Sequence, residues 1–104
     1  MSRQFDVVRN PDAEDAVRRP FLVVLQSDLV SGLRSTVVAP LLVREAIVGA
    51  SRLHPVVKID DTEMWFATHE LFAIEQRLLG KPVANLESQR DALSAALDFL
   101  FLGY

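Results

Sequence analysis

Phe21-Leu22-Val23-Val24-Leu25 is a continuous run of five apolar residues. Such a run, rich in β-formers, predicts a strand buried on both faces and therefore central in a sheet. Before it, Phe5-Asp6-Val7-Val8 alternates well enough to be a first strand. Asn10-Pro11-Asp12-Ala13-Glu14-Asp15 is turn-rich and acidic, a solvated loop. After the run, Gln26-Ser27-Asp28 breaks the pattern and Ser31-Gly32 makes a turn. Ser35-Thr36-Val37-Val38-Ala39 is the next strand, and Pro40 is expected to end or bend its ladder because proline cannot donate a hydrogen bond. Two apolar strands separated by about ten residues imply an antiparallel pair.

Leu41 to Leu53 is ambiguous between a short helix and a further strand with a turn, and its fold over residues 43–52 is left open. His54-Pro55 marks a boundary, since the residue before proline is driven to extended geometry. Val56 to Ile59, the turn Asp60-Asp61-Thr62, and Met64 to Thr68 form a predicted hairpin. Leu71 to Ile74 is one more strand, and Leu79-Gly80-Lys81-Pro82 a turn. From Glu87 onward the period changes. Leu93, Leu97, Leu100 and Phe101 recur at helical spacing, and Ala92, Ala95 and Ala96 favour helix because alanine loses no side-chain entropy there. Asn85 or Ser88 is the candidate cap, the latter with Asp91 three residues on. Five or more strands followed by one helix predict a single domain over residues 1–104, mainly β. Its expected form is a small, mostly antiparallel barrel or sheet with the helix packed on it.

The end of that helix breaks its own amphipathic rule. Phe99-Leu100-Phe101-Leu102 is apolar on every side, followed by Gly103 and Tyr104. Leu93, Leu97 and Leu100 suit a core-facing stripe. One domain rarely buries all sides of a terminal turn, so Phe101 to Tyr104 suit an interface with a second copy or a partner.

Bulk properties narrow the function classes. With 50% hydrophobic residues, 104 positions are enough for a core without metals or disulfides. The absence of cysteine excludes a disulfide framework, a zinc–thiolate site and a cysteine nucleophile. A formal charge of −3 without a dense Lys/Arg block is not the footprint of a nucleic-acid binder, and a protein partner suits it better. The opening Met1-Ser2-Arg3-Gln4-Phe5-Asp6 has no signal-peptide core, and no apolar run reaches the roughly 20 residues of a membrane span. A cytoplasmic protein without membrane contact is expected.

Candidate chemistry is sparse. His54 and His69 show no metal-ligand spacing, and each is expected to be solvated, so no metal and no cofactor are expected. No GxSxG elbow, phosphate loop or GxGxxG occurs. The carboxylates of Asp12, Glu14, Asp15, Asp60, Asp61 and Glu63 fall in turns, and Trp65 reads as core. Arg34-Ser35-Thr36 is the one polar cluster worth weighing as an enzyme centre, together with a histidine. No catalytic residue is assigned.

Several of these stretches resemble one family, the CcdB toxins that poison DNA gyrase. They are Gln4-Phe5, Phe21 through Val30 with its Gln26-Ser27-Asp28 turn, Val37 to Leu41, Leu53 to Asp60, and the closing Phe101-Leu102-Gly103-Tyr104. The resemblance spans nearly the whole chain and is weakest over residues 43–52. It implies an SH3-like barrel of antiparallel strands with a small accessory sheet and one long C-terminal helix. It implies a homodimer with the helix ends near the twofold axis, and action by binding rather than catalysis. Paired tails would enter the gyrase A-subunit dimer and hold the enzyme on cleaved DNA. A CcdA-like antitoxin would neutralise the toxin, and DNA would be contacted, and transcription repressed, only through the antitoxin complex.

The gyrase-contacting positions implied by the resemblance are Gln4, Phe5, Ser27, Leu29, Val30, Asp98, Phe101, Leu102, Gly103 and Tyr104. Three depart from the family pattern: Leu102 replaces its tail Trp, Tyr104 its terminal Ile, and Asp98 an Asn one helical turn earlier. The Trp stacks on a gyrase Arg, a contact worth roughly 1–2 kcal/mol when desolvated, and Leu102 offers apolar area without a ring face. Two further readings stand beside gyrase poisoning. One is a dimeric module that keeps antitoxin binding with weak or no poisoning. The other is a ribonuclease toxin similar to the MazF and Kid relatives, built on Arg34, Ser35 or Thr36.

Overall fold

The computed structural model describes residues 2–46 and 51–104. Among them are seven strands: β1 (Asp6–Arg9), β2 (Phe21–Val24), β3 (Ser35–Val43), β4 (Val56–Ile59), β5 (Thr62–Phe66), β6 (Phe72–Glu75) and β7 (Ala84–Asn85). One helix, α1 (Arg90–Leu102), follows. All pairings are antiparallel, in the order β4-β5-β3-β2-β1-β7, with β6 also paired to β3. The sheet curls into a nearly closed barrel with the helix against it, the fold class expected from the strand-then-helix pattern.

β2 is buried on both faces, as its unbroken apolar run requires. Val23 joins Val7, Ala39, Leu41, Phe66 and Leu93 in the barrel core, while Leu22 and Val24 meet Val8 and Val38 in a second core. Ile74 of β6 and Leu79 cover that second core. Trp65 is core too: its indole N–H donates to the Arg44 carbonyl at 2.8 Å, and the Arg44 guanidinium lies 4.8 Å from the ring centre.

Pro40 does not end its strand. β3 runs nine residues through it. The cause is a change of partner: Ser35 to Val38 pair with β6, and Leu41 to Val43 pair with β5. Pro40 stands at the handover, where its carbonyl accepts from the Ala67 N–H at 3.0 Å. In a strand the N–H and C=O of one residue point to the same side. The missing donor therefore faces the gap between β6 and β5, and the β2 ladder loses nothing. Beyond β3, residues 44–46 make a short helical turn. The helix-or-strand ambiguity of 41–53 thus resolves to strand then turn as far as residue 46, and residues 47–50 lie outside the described residues.

The β4–β5 hairpin closes with Ile59 opposite Thr62. Its loop is Asp60-Asp61, with Asp60 at φ 54°, a left-handed conformation Asp tolerates better than most residues. At the helix, the Asn85 Oδ1 accepts the Glu87 N–H at 2.8 Å and starts a short turn, Glu87–Gln89, that runs into α1. The residue at the start of α1 is Gln89, with no side-chain cap, so neither Asn85 nor Ser88 caps the helix. Leu93 and Ala96 are sealed against the barrel, Leu97 and Leu100 half-buried.

Candidate functional site

The last turn of α1 projects from the barrel. Phe101 is 67% exposed, Leu102 59% and Tyr104 75%. Gly103 ends the helix at φ 81°, donating its N–H to the Phe99 carbonyl at 3.1 Å. Glycine adopts this left-handed C-cap without the Cβ penalty other residues meet. No atom lies within 4 Å of the position a Gly103 Cβ would take, so conformation rather than crowding makes glycine the suitable residue. Asp98 is exposed one turn earlier, and the Arg52 guanidinium sits 4.6 Å from the centre of the half-buried Phe99 ring.

Phe101 and Leu97 form one wall of an apolar groove of about 420 Å³ whose other walls are Leu25, Gln26, Val37 and Leu71. Gln26 ties this groove to the loop after β2. Its Nε2 donates to the Val30 carbonyl at 2.9 Å, and its Oε1 accepts from the Val37 N–H at 3.3 Å. Ser27 caps the turn Asp28–Val30, accepting from the Leu29 N–H at 3.1 Å, and that turn holds Leu29 almost wholly in solvent, 95% exposed. Val30 is exposed as well. The Asp28 carboxylate accepts the Gln4 N–H at 2.8 Å, and Gln4 Nε2 donates to the Leu25 carbonyl at 3.0 Å. Gln4, Ser27, Leu29 and Val30 thus belong to one braced unit beside the groove.

Phe5 is placed differently. Its backbone lies at φ 67° and its side chain is 3% exposed, packed in the barrel core. A bulky residue in that conformation is strained unless its surroundings hold it. Here the Phe5 N–H donates to the Val24 carbonyl, the Leu86 N–H to the Phe5 carbonyl, and Arg90 lies 5.7 Å over the ring. Phe5 fixes the position of Gln4 rather than offering a surface.

On another flank the structure gathers polar groups that the sequence keeps far apart. Asn10 Nδ2 donates to Asp15 at 2.9 Å, Arg19 donates to Asp15 at 3.0 Å and to Glu70 at 2.8 Å, and Glu70 lies 3.8 Å from His69 Nε2. His69 Nδ1 in turn lies 2.7 Å from His54 Nε2. The two histidines, each expected to be solvated alone, are therefore paired. Glu70, through its hydrogen bond and charge, raises the Arg19 guanidinium above its ordinary value. Burial, with His69 adding repulsion, pushes His54 below the usual imidazole value, against the pull of Glu70.

A depressed folded value means that the unfolded chain takes up the proton first. The stability from His54 is present above about pH 6.5 and lost as pH falls through the folded-state value. The urea midpoint is expected to drop between about pH 7.5 and pH 5.5, and to drop less in His54→Gln. Equal pH profiles for the two proteins would contradict this.

Arg34 and Ser35 are exposed at the start of β3, Ser35 opposite Glu75. Thr36 is 3% exposed. Among the described residues no hydrogen bond or ion pair joins Arg34-Ser35-Thr36 to either histidine, so the cluster weighed as an enzyme centre is not assembled. Among the described residues, likewise, no group of three or more His, Cys, Asp or Glu is arranged to hold a metal, and no helix is long and apolar enough to cross a membrane.

The family described as CcdB protein matches residues 4–103, from the Gln4 brace to the Gly103 cap. The chain belongs to the CcdB family. CcdB proteins are toxins of toxin–antitoxin pairs that poison gyrase by binding to it rather than by catalysis, and the barrel with a single helix is the CcdB architecture expected from the sequence. No curated protein matches the chain.

Proposed function

We propose that this chain is the toxin of a type II toxin–antitoxin pair that binds the gyrase A subunit and traps the gyrase–DNA cleavage complex. One observation carries the reading: a helix anchored at Leu93 and Ala96 delivers Phe101, Leu102 and Tyr104 to solvent, where isolated apolar exposure has no stabilising role. Gly103 turns the chain at that tip. Leu29 and Val30, held up by Ser27 and the Gln4–Asp28 brace, supply further apolar contact, and Asp98 a charge at its edge.

The toxin acts as a homodimer that presents two tails together, without metal or cofactor, in the cytoplasm. A CcdA-like antitoxin neutralises it. The chain's acidic balance of −3 disfavours direct contact with DNA, so DNA is reached, and transcription repressed, through the antitoxin complex. The test is a supercoiling and cleavage assay with gyrase of the source bacterium. Purified toxin is expected to block supercoiling and accumulate cleaved DNA. Full supercoiling in its presence would refute the proposal.

Leu102 favours a second reading, in which antitoxin binding is kept and poisoning is weak. An aliphatic side chain stands where the family's ring would stack on a cation. Growth arrest on induction of the chain alone, relieved by the antitoxin, supports the first reading; antitoxin binding without growth arrest supports the second.

A further inference from the structure

We propose that His54 and His69 form a binding site for a late first-row divalent cation, Cu²⁺ or Ni²⁺ above all. The two nitrogens that face each other, His54 Nε2 and His69 Nδ1, are 2.7 Å apart, with ring planes at 67°. With metal–nitrogen bonds of about 2.0–2.1 Å, that separation subtends about 80–85° at a shared ion. Square-planar and octahedral ions ask for about 90° between neighbouring ligands, which needs the rings to part by only about 0.2 Å. A tetrahedral ion asks for about 109° and a separation larger by roughly 0.6 Å, so the pair suits Cu²⁺ and Ni²⁺ better than Zn²⁺.

The surroundings prepare the ligands. Glu70 stands behind His69, its Oε2 3.8 Å from Nε2, while its Oε1 is pinned by Arg19 at 2.8 Å. The carboxylate is too far for a hydrogen bond, but its charge on that side favours the tautomer with the proton on Nε2, which leaves Nδ1 with a free lone pair. His69 Nδ1 then accepts in the apo pair and His54 Nε2 donates. Binding requires His54 to move its ring proton from Nε2 to Nδ1 through water. Both imidazoles stay neutral and no net proton is released.

The backbones that carry them are braced. The Thr68 hydroxyl donates to the Leu53 carbonyl at 2.5 Å, joining the two segments one residue before each histidine. The His54 N–H donates to the Ser51 carbonyl and hydroxyl at 3.2 Å each. His69 is 44% exposed, so an ion enters freely and water completes its coordination. The charges around the pair are Glu70, its partner Arg19, and Asp15 beyond it.

The experiment is calorimetric titration of the untagged chain with Cu²⁺, Ni²⁺ and Zn²⁺ near neutral pH, with electron paramagnetic resonance of the copper form. Saturable binding of one Cu²⁺ per chain is expected, Zn²⁺ weaker, with nitrogen couplings in the spectrum. His54→Gln and His69→Gln are each expected to weaken binding by about 100-fold or more. Two results would overturn the site. One is equal binding by wild type and the doubly substituted His54→Gln/His69→Gln chain. The other is no saturable binding to wild type, in which case the histidines only share a proton.

Discussion

A chain ending at Leu100 is expected to fold, to bind its antitoxin with little loss, and to have no effect on gyrase. Each removed side chain is mostly in solvent: Phe101, Leu102 and Tyr104 are all more than half exposed. Their loss therefore takes little buried area from the barrel, and surface changes of this kind usually move stability by less than about 0.5 kcal/mol. Phe101 is the partial exception, because it also lines the groove with Leu97 and Leu25. Binding loses far more. Aromatic and aliphatic anchors at the centre of an interface each cost about 2 kcal/mol or more when truncated, and in the proposed homodimer two copies of the tail are removed at once. Losses of that size lower affinity by several powers of ten. Supercoiling assays and antitoxin titration on the same preparation separate the two effects.

The reciprocal change is Leu102→Trp. It adds a ring face on a surface position, so folding is unaffected, and action on gyrases that offer an arginine there strengthens by roughly tenfold. Unchanged supercoiling inhibition in both the shortened and the Trp-bearing chains would show that the tail is not the binding element.

The parts of this fold that local pattern specifies were legible before the structure. Phe21 to Leu25 could be assigned because both faces of β2 are covered, so every position is apolar. The α1 stripe was legible for the same reason: Leu93 and Ala96 face the barrel at helical spacing, and the all-apolar last turn marks where that logic fails. Pro40 misled because its missing donor was assumed to cost a ladder bond. Only the handover of one edge of β3 from β6 to β5 reveals that the missing donor faces a gap and costs no ladder bond. β7, two residues long, has no periodicity to detect.

The polar features were hidden for a different reason. His54 and His69 are 15 residues apart, and it is the β4–β5 hairpin and the turn after it that bring them together. Phe5, placed among contact residues by resemblance, turned out to be held in the core by a left-handed backbone that no sequence pattern announces. What remains of the predicted surface is the tail together with the Gln4 to Val30 brace, both fixed by hydrogen bonds and a groove rather than by composition.

Leu93→Ala is expected to cost about 2–5 kcal/mol of folding stability and, through it, the function of the tail. Leu93 is fully buried, in the same core as Val7, Val23, Leu41 and Phe66, and it joins α1 to the barrel. The substitution removes three buried carbons and leaves a cavity that rigid strands on the far side cannot close, the condition that puts core truncations at the upper end of their range. A domain of this size has about 5–15 kcal/mol in total, so the variant keeps little margin. The loss should appear as a lower urea midpoint with an unchanged slope. Leu102→Ala is the matched control, since it removes the same atoms from the exposed last turn, and its midpoint should stay within about 0.5 kcal/mol of wild type. The pair separates the helix's observed role from its proposed one, because Leu93 holds α1 on the barrel and Leu102 is proposed to meet gyrase. Equal destabilisation by both substitutions would mean that the last turn is packed rather than presented, and the case for a gyrase-directed tail would go with it.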